Sequence, residues 1–145
     1  MFEKKYIFRF NEKKSREEIL DTVGKVFYEN GIVTEDFSQA IKKREIDFPT
    51  GMILENGTHT AISHTDDKYV KTDKIAIVIS KEPVNFRNIE SGEENVNCNV
   101  FFIMALTKEN KNDILSGMAE LFEEHEEMLN EFLTMTDEEI LETLL

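Results

Sequence analysis

Lys74-Ile-Ala-Ile-Val-Ile-Ser80 and Asn97-Cys-Asn-Val-Phe-Phe-Ile-Met-Ala105 are the most uniformly apolar runs of this chain. Both are rich in β-branched or aromatic residues, and neither alternates clearly between polar and apolar positions. A strand with one face in water would alternate, so these runs read as interior strands covered on both faces by helices. Phe101 and Phe102, being consecutive, are then expected on opposite faces of the sheet and buried on both. The segment between the runs carries Pro83, Gly92 and several charges, and reads as an edge excursion or loop.

On either side of this pair the period becomes helical. Upstream, Ser15-Arg-Glu-Glu18 forms a capping box, and Ile19, Leu20, Val23, Val26 and Phe27 follow at helical spacing until Asn30-Gly31 stops the helix. Thr34 is placed to cap a second helix carrying Phe37, Ala40 and Ile41. That helix must end before Phe48-Pro49-Thr50-Gly51, because proline disfavours helical geometry in the residue before it. Tyr6, Phe8 and Phe10 give residues 4 to 10 the pattern of a short strand. Downstream, Ile114, Leu115, Met118, Leu121 and Phe122 make one apolar stripe, and Met128, Leu129, Phe132 and Leu133 a second. A last helix opens at the capping box Thr136-Asp-Glu-Glu139 and buries Ile140, Leu141 and Leu144. Helices before and after central strands describe a single α/β layered domain over residues 1 to 145.

The chain has 145 residues, and its 17 Lys plus Arg against 30 Asp plus Glu give a net charge of −13. Its 40% apolar content, with 11 Phe, is enough for one core. The acidity argues against nucleic acid and anionic lipid, which attract proteins through Lys and Arg, and favours basic protein partners. No apolar run approaches the ~20 residues that span a bilayer, and the N-terminus lacks a signal-peptide pattern, so a cytoplasmic protein is expected. The lone cysteine, Cys98, lies inside an apolar run and reads as core.

The three histidines can each be tested by spacing. His125 lies within Glu123-Glu-His-Glu-Glu127, which reads as a solvated helical face or junction. His59 and His64 fall on opposite faces of a strand, or about 140° apart on a helix, so they do not share a metal in regular structure. No Cys pair, His-Glu-x-x-His motif or calcium loop points to a metal, and the glycines form no phosphate-binding loop. His64 alone stands where a short apolar pair, Ala61-Ile62, gives way to the polar run Thr65-Asp-Asp-Lys68, at the end of a strand.

Phe48-Pro-Thr-Gly51, Ala61-Ile-Ser-His-Thr-Asp66, Lys74-Ile-Ala-Ile, Pro83-Val-Asn-Phe86 and Asn97-Cys-Asn-Val-Phe-Phe-Ile-Met-Ala-Leu106 occur here in a fixed order. In that order and spacing the sequence resembles the fructose/mannitol/galactitol class of phosphotransferase-system enzyme IIA domains over roughly residues 15 to 145. The nearest likeness is to the galactitol-type branch, whose central motif typically reads Ala-Ile-Pro-His-Thr-Asp. The resemblance implies an α/β sandwich with a mixed central sheet flanked by helices. It also implies that His64, by its position in the motif, carries a phosphoryl group. Two departures stand out. Ser63 occupies the usual proline position, and the family's second histidine is replaced by Tyr69 at one of its usual places and by Asn112-Asp113 around the other.

By this resemblance His64 takes a phosphoryl group from the phosphohistidine of HPr and passes it to a cysteine of enzyme IIB, with no metal or organic cofactor. Association with a membrane IIC component follows from the same likeness. A neutral imidazole suits the task, since its free nitrogen is nucleophilic near neutral pH. Ser63, Thr65 and local amides are the nearest candidates for donors to the phosphoryl oxygens. Thr50 and Gly51 join them if the 48 to 51 loop folds over the site, Asp66 is placed either to orient the ring or to cap the following turn, and Tyr69 to replace a missing histidine as donor. The competing reading is a non-catalytic IIA-like regulatory or interaction module that reports phosphorylation state.

Overall fold

In the computed structural model, which describes residues 1–55 and 58–144, the two apolar runs lie side by side at the centre of a five-stranded mixed sheet. The strands are β1 (Ile7–Phe10), β2 (Gly51–Met52), β3 (Thr60–Ser63), β4 (Lys74–Phe86) and β5 (Val96–Ala105), in the order β1-β4-β5-β3-β2. β4 and β5 are antiparallel neighbours, β1 joins β4 and β3 joins β5 in parallel, and β2 is antiparallel to β3.

Helices cover both faces, which is why the central strands need not alternate. On one side α1 (Arg16–Glu29) and α2 (Phe37–Asp47) pack with Val78, Phe86 and Phe101. On the other, α3 (Lys111–Glu124), α4 (Met128–Phe132) and α5 (Asp137–Leu144) pack with Ile77, Phe102 and Met104. Phe101 and Phe102 are both fully buried, the first edge-on to Phe86 at 4.8 Å and the second against Phe122 at 5.3 Å. Cys98 is a buried free thiol, its pKa pushed upward by burial.

Both capping boxes form. Ser15 Oγ accepts from the Glu18 amide while Glu18 accepts from the Ser15 amide, and Thr136 and Glu139 repeat the arrangement. Gly31 adopts φ 73°, the left-handed conformation that ends α1.

Several expectations are corrected. The first strand is shorter than residues 4 to 10: Lys4–Tyr6 form a 3-10 turn that buries Tyr6, and β1 starts at Ile7. Thr34 does not cap α2; the N-cap is Asp36, whose side chain makes no cap bond, while the Thr34 hydroxyl is buried without a partner among the described residues. Most of the segment around Pro83 is no loop, because β4 continues to Phe86 and Val84 to Phe86 pair with Cys98 to Val96. Pro83 is tolerated because the register shifts between Ile79 and Val84, where the ladder does not need its missing N–H. Leu133 is 43% exposed, and Leu141 and Leu144 are only half-buried.

Candidate functional site

β3 is short and buried, and it runs beside β5 as far as Ser63, which pairs with Ile103. The residue beyond it, His64, therefore projects from a rigid edge at a fixed place. It is 9% exposed and lines an open depression with Arg44, Phe48, Pro49, Thr50 and Ile89. Phe48 and Ile89, 62% and 49% exposed, are bare apolar points on a rim that also carries Asp47, Arg87, Asn88 and Glu90.

The ring has one occupied nitrogen. Nδ1 lies 2.7 Å from the Ile62 carbonyl oxygen, which can only accept, so Nδ1 carries the proton. In the neutral ring Nε2 then keeps its lone pair, and it has no hydrogen-bond partner among the described residues. Burial pushes the imidazole pKa down, the Ile62 bond opposes this, and the charges of Arg44 and Lys111 add to the lowering. The ring is thus held neutral and nucleophilic at pH 7.

The walls of the depression are tied together by backbone. Gly51 N–H donates to the Arg87 carbonyl at 3.0 Å and the Gly51 carbonyl accepts from Ile89 N–H at 2.8 Å, which fastens residues 87–89 to β2. A side chain at Gly51 would bring its Cβ within 2.6 Å of the Arg87 oxygen, hence the glycine. Arg87 donates to Gly92 O and Ile46 O, closing the turn after β4 onto the end of α2. The Arg44 side chain, by contrast, has no ion pair or hydrogen bond among the described residues; its Nε is buried without a partner and its guanidinium lies 4.7 Å from the Phe48 ring. An unpartnered guanidinium beside a neutral imidazole can take an anion brought to the ring.

The sequence profile described as "Phosphoenolpyruvate-dependent sugar phosphotransferase system, EIIA 2" matches residues 1–145. The chain belongs to this EIIA 2 family. The galactitol-specific EIIA component of Escherichia coli K12 is 29% identical over 107 residues, which are 74% of this chain and 69% of that protein. The fold of this chain is similar to that of the mannitol enzyme IIA of E. coli in the complex with phosphorylated enzyme IIB, with TM-score 0.79, 18% identity, and 98% and 96% of the two chains covered. It is also similar to the nitrogen regulatory protein IIA-Ntr of Neisseria meningitidis, with TM-score 0.72, 20% identity, and 96% and 92% covered.

Within this EIIA 2 chain the expected donors are redistributed. The loop at 48 to 51 does come to His64, but Thr50 gives both its N–H and its hydroxyl to Glu45, and Gly51 N–H is taken by Arg87. Ser63 is fully buried and donates to Glu45 at 3.0 Å. Asp66 does not orient the ring, a place filled by the Ile62 carbonyl; it accepts from Lys68 N–H and caps the 3-10 turn at Asp67–Tyr69. Tyr69 packs on the α1/α2 side of the sheet and is not part of the depression. Thr65 is buried beside His64. His59 accepts from Leu54 N–H, away from the depression, and His125 is exposed at the end of α3.

Arg44, Glu45 and Lys111 complete these surroundings, and no motif in the sequence marks them. A signal for Glu45 existed, since Phe37, Ile41 and Glu45 recur every four residues and so share one face of α2. That face is buried.

Proposed function

We propose that this chain is a galactitol-type IIA phosphoryl carrier in which Nε2 of His64 is the carrying atom. The observation that supports this most is the tautomer: with Nδ1–H given to the Ile62 carbonyl, the lone pair left over belongs to Nε2. That lone pair attacks the phosphorus of phosphohistidine on HPr. The new N–P bond forms as the old one breaks, and the HPr imidazole leaves with the electron pair. The His64 ring becomes electron-poor, and its Nδ1–H bond to Ile62 gains charge assistance. A cysteine thiolate of enzyme IIB then attacks the same phosphorus and returns His64 to its neutral form.

Arg44 supplies positive charge where the phosphoryl oxygens carry negative charge, and positioning and electrostatics account for most catalysis of this kind. The exposed Phe48 and Ile89 offer apolar contact to HPr and IIB in turn. No step calls for a metal or organic cofactor. The chain works in the cytoplasm, beside a membrane IIC component that carries the sugar. No helix among the described residues is long and apolar enough to cross a membrane.

The test is incubation with phosphoenolpyruvate, enzyme I and HPr, followed by intact mass measurement. One acid-labile phosphoryl increment is expected, absent in His64→Ala and retained in His59→Ala and His125→Ala. A wild-type protein that takes up nothing would leave the regulatory-module reading in place of the carrier.

A further inference from the structure

A carboxylate with no ion pair is costly to bury, and α2 buries one. Glu45 is 2% exposed and has no ion pair among the described residues. Its Oε1 accepts from Thr50 N–H at 2.9 Å and lies 2.9 Å from Thr50 Oγ1; its Oε2 accepts from Ser63 Oγ–H at 3.0 Å. The three segments so joined are the end of α2, the loop that rims the depression, and the last residue of β3. Thr50 follows Pro49, which lines the depression, and Ser63 precedes His64 directly.

We propose that Glu45 is the positioning residue of the His64 site: its carboxylate clamps the Thr50 loop to the end of β3 and thereby fixes the imidazole within the depression. Ser63 makes this necessary. A proline would lock the backbone dihedral before the histidine, whereas a serine leaves it free, and the bond from Ser63 to Glu45 restores the restraint. Burial is the largest influence on the Glu45 pKa and raises it, while the bonds from Thr50 and Ser63 and the charge of Arg16 oppose the rise. The clamp touches no reacting atom. It rests on the carrier reading only for its kinetic consequence, since the restraint on the ring exists with or without transfer.

Glu45→Ala, Glu45→Gln and Ser63→Ala test it by rapid-quench transfer from phosphorylated HPr, by NMR titration of the His64 ring, and by hydrogen exchange at the Thr50 amide. In Glu45→Ala the rate at saturating donor should fall by about ten- to a hundredfold, the usual cost of a misplaced reacting group, with the half-saturating concentration moving less than about twofold. Thr50 exchange should accelerate and the His64 titration should shift. Glu45→Gln keeps a carbonyl oxygen for Thr50 and an amide that the Ser63 oxygen can accept, so it should recover most of the rate.

Wild-type transfer in Glu45→Ala, a loss confined to the half-saturating concentration, or a glutamine no better than alanine would each overturn the clamp. If Glu45→Ala does not fold, Ser63→Ala decides: slower transfer with a shifted His64 titration supports the clamp, and wild-type values for both refute it. If wild-type protein takes up no phosphoryl group, the carrier reading fails separately. The titration then judges the clamp alone, and an unmoved His64 in the Glu45 and Ser63 variants would refute it.

Discussion

Removing the Arg44 guanidinium should slow phosphoryl transfer far more than it weakens the fold. The side chain has no hydrogen bond or ion pair among the described residues, so Arg44→Ala breaks no internal polar contact; what it loses is the stacking on Phe48 at 4.7 Å. That contact is worth about 0.5 to 1 kcal/mol at an exposed site, and a cation in the last turn of a helix adds about as much again. A hydrogen bond to a charged phosphoryl oxygen is worth more, about 1.5 to 3 kcal/mol, which predicts a loss of about ten- to 150-fold in transfer at saturating HPr. Arg44→Lys keeps the charge but not the planar fork, and should fall between the two. Single-turnover transfer from phosphorylated HPr measures the first effect and urea unfolding the second. A variant that transfers at the wild-type rate, or one whose slow transfer tracks its fraction unfolded, would refute the assignment of Arg44 to the phosphoryl group.

Three further outcomes are expected of the folded chain. The His64 pKa is depressed from 6.5 mainly by burial, so its neutral form contributes stability that is present above 6.5 and lost as pH falls through the lowered value; urea midpoints of His64→Gln should show a shallower acid decline than wild type, and parallel curves would contradict the buried neutral ring. Phe102→Ala empties a fully buried site against Phe122 and should cost about 3 to 5 kcal/mol by denaturant unfolding, a cost under about 1 kcal/mol being incompatible with the packed sheet face. With a net charge of −13, association with a basic partner should slow as salt rises, chiefly in the on-rate; stopped-flow rates that do not change with salt would reduce the acidity to a solubility feature.

What could be read from the sequence was what short-range chemistry specifies. Ser15 with Glu18, and Thr136 with Glu139, announce helix starts because both partners of each bond lie within four residues. The two-sided burial of β4 and β5 is written in their unbroken apolar runs. Thr34 and Pro83 misled for the converse reason. Thr34 has the chemistry of a cap, but the chain enters α2 two residues later at Asp36, and Pro83 signals a break where a register shift keeps the strand going. His64 was legible because it stands at the junction of an apolar pair and a polar run. Its surroundings were not, since the donors nearest in sequence, Ser63, Thr50 and Gly51, turn inward to Glu45 and Arg87. The cation it meets comes from α2, twenty residues upstream, where a Lys-Lys-Arg-Glu run looks like an ordinary solvated face.

If Nε2 of His64 carries the phosphoryl group, the modified protein will show it by the position of the substituent on the imidazole. Long-range proton–nitrogen NMR of protein phosphorylated through HPr distinguishes the two ring nitrogens of each histidine. A single phosphorylated ring is expected, that of His64, substituted at Nε2 with Nδ1 still protonated and bonded to Ile62. A phosphoryl group on Nδ1 of His64, or on His59 or His125, would contradict it.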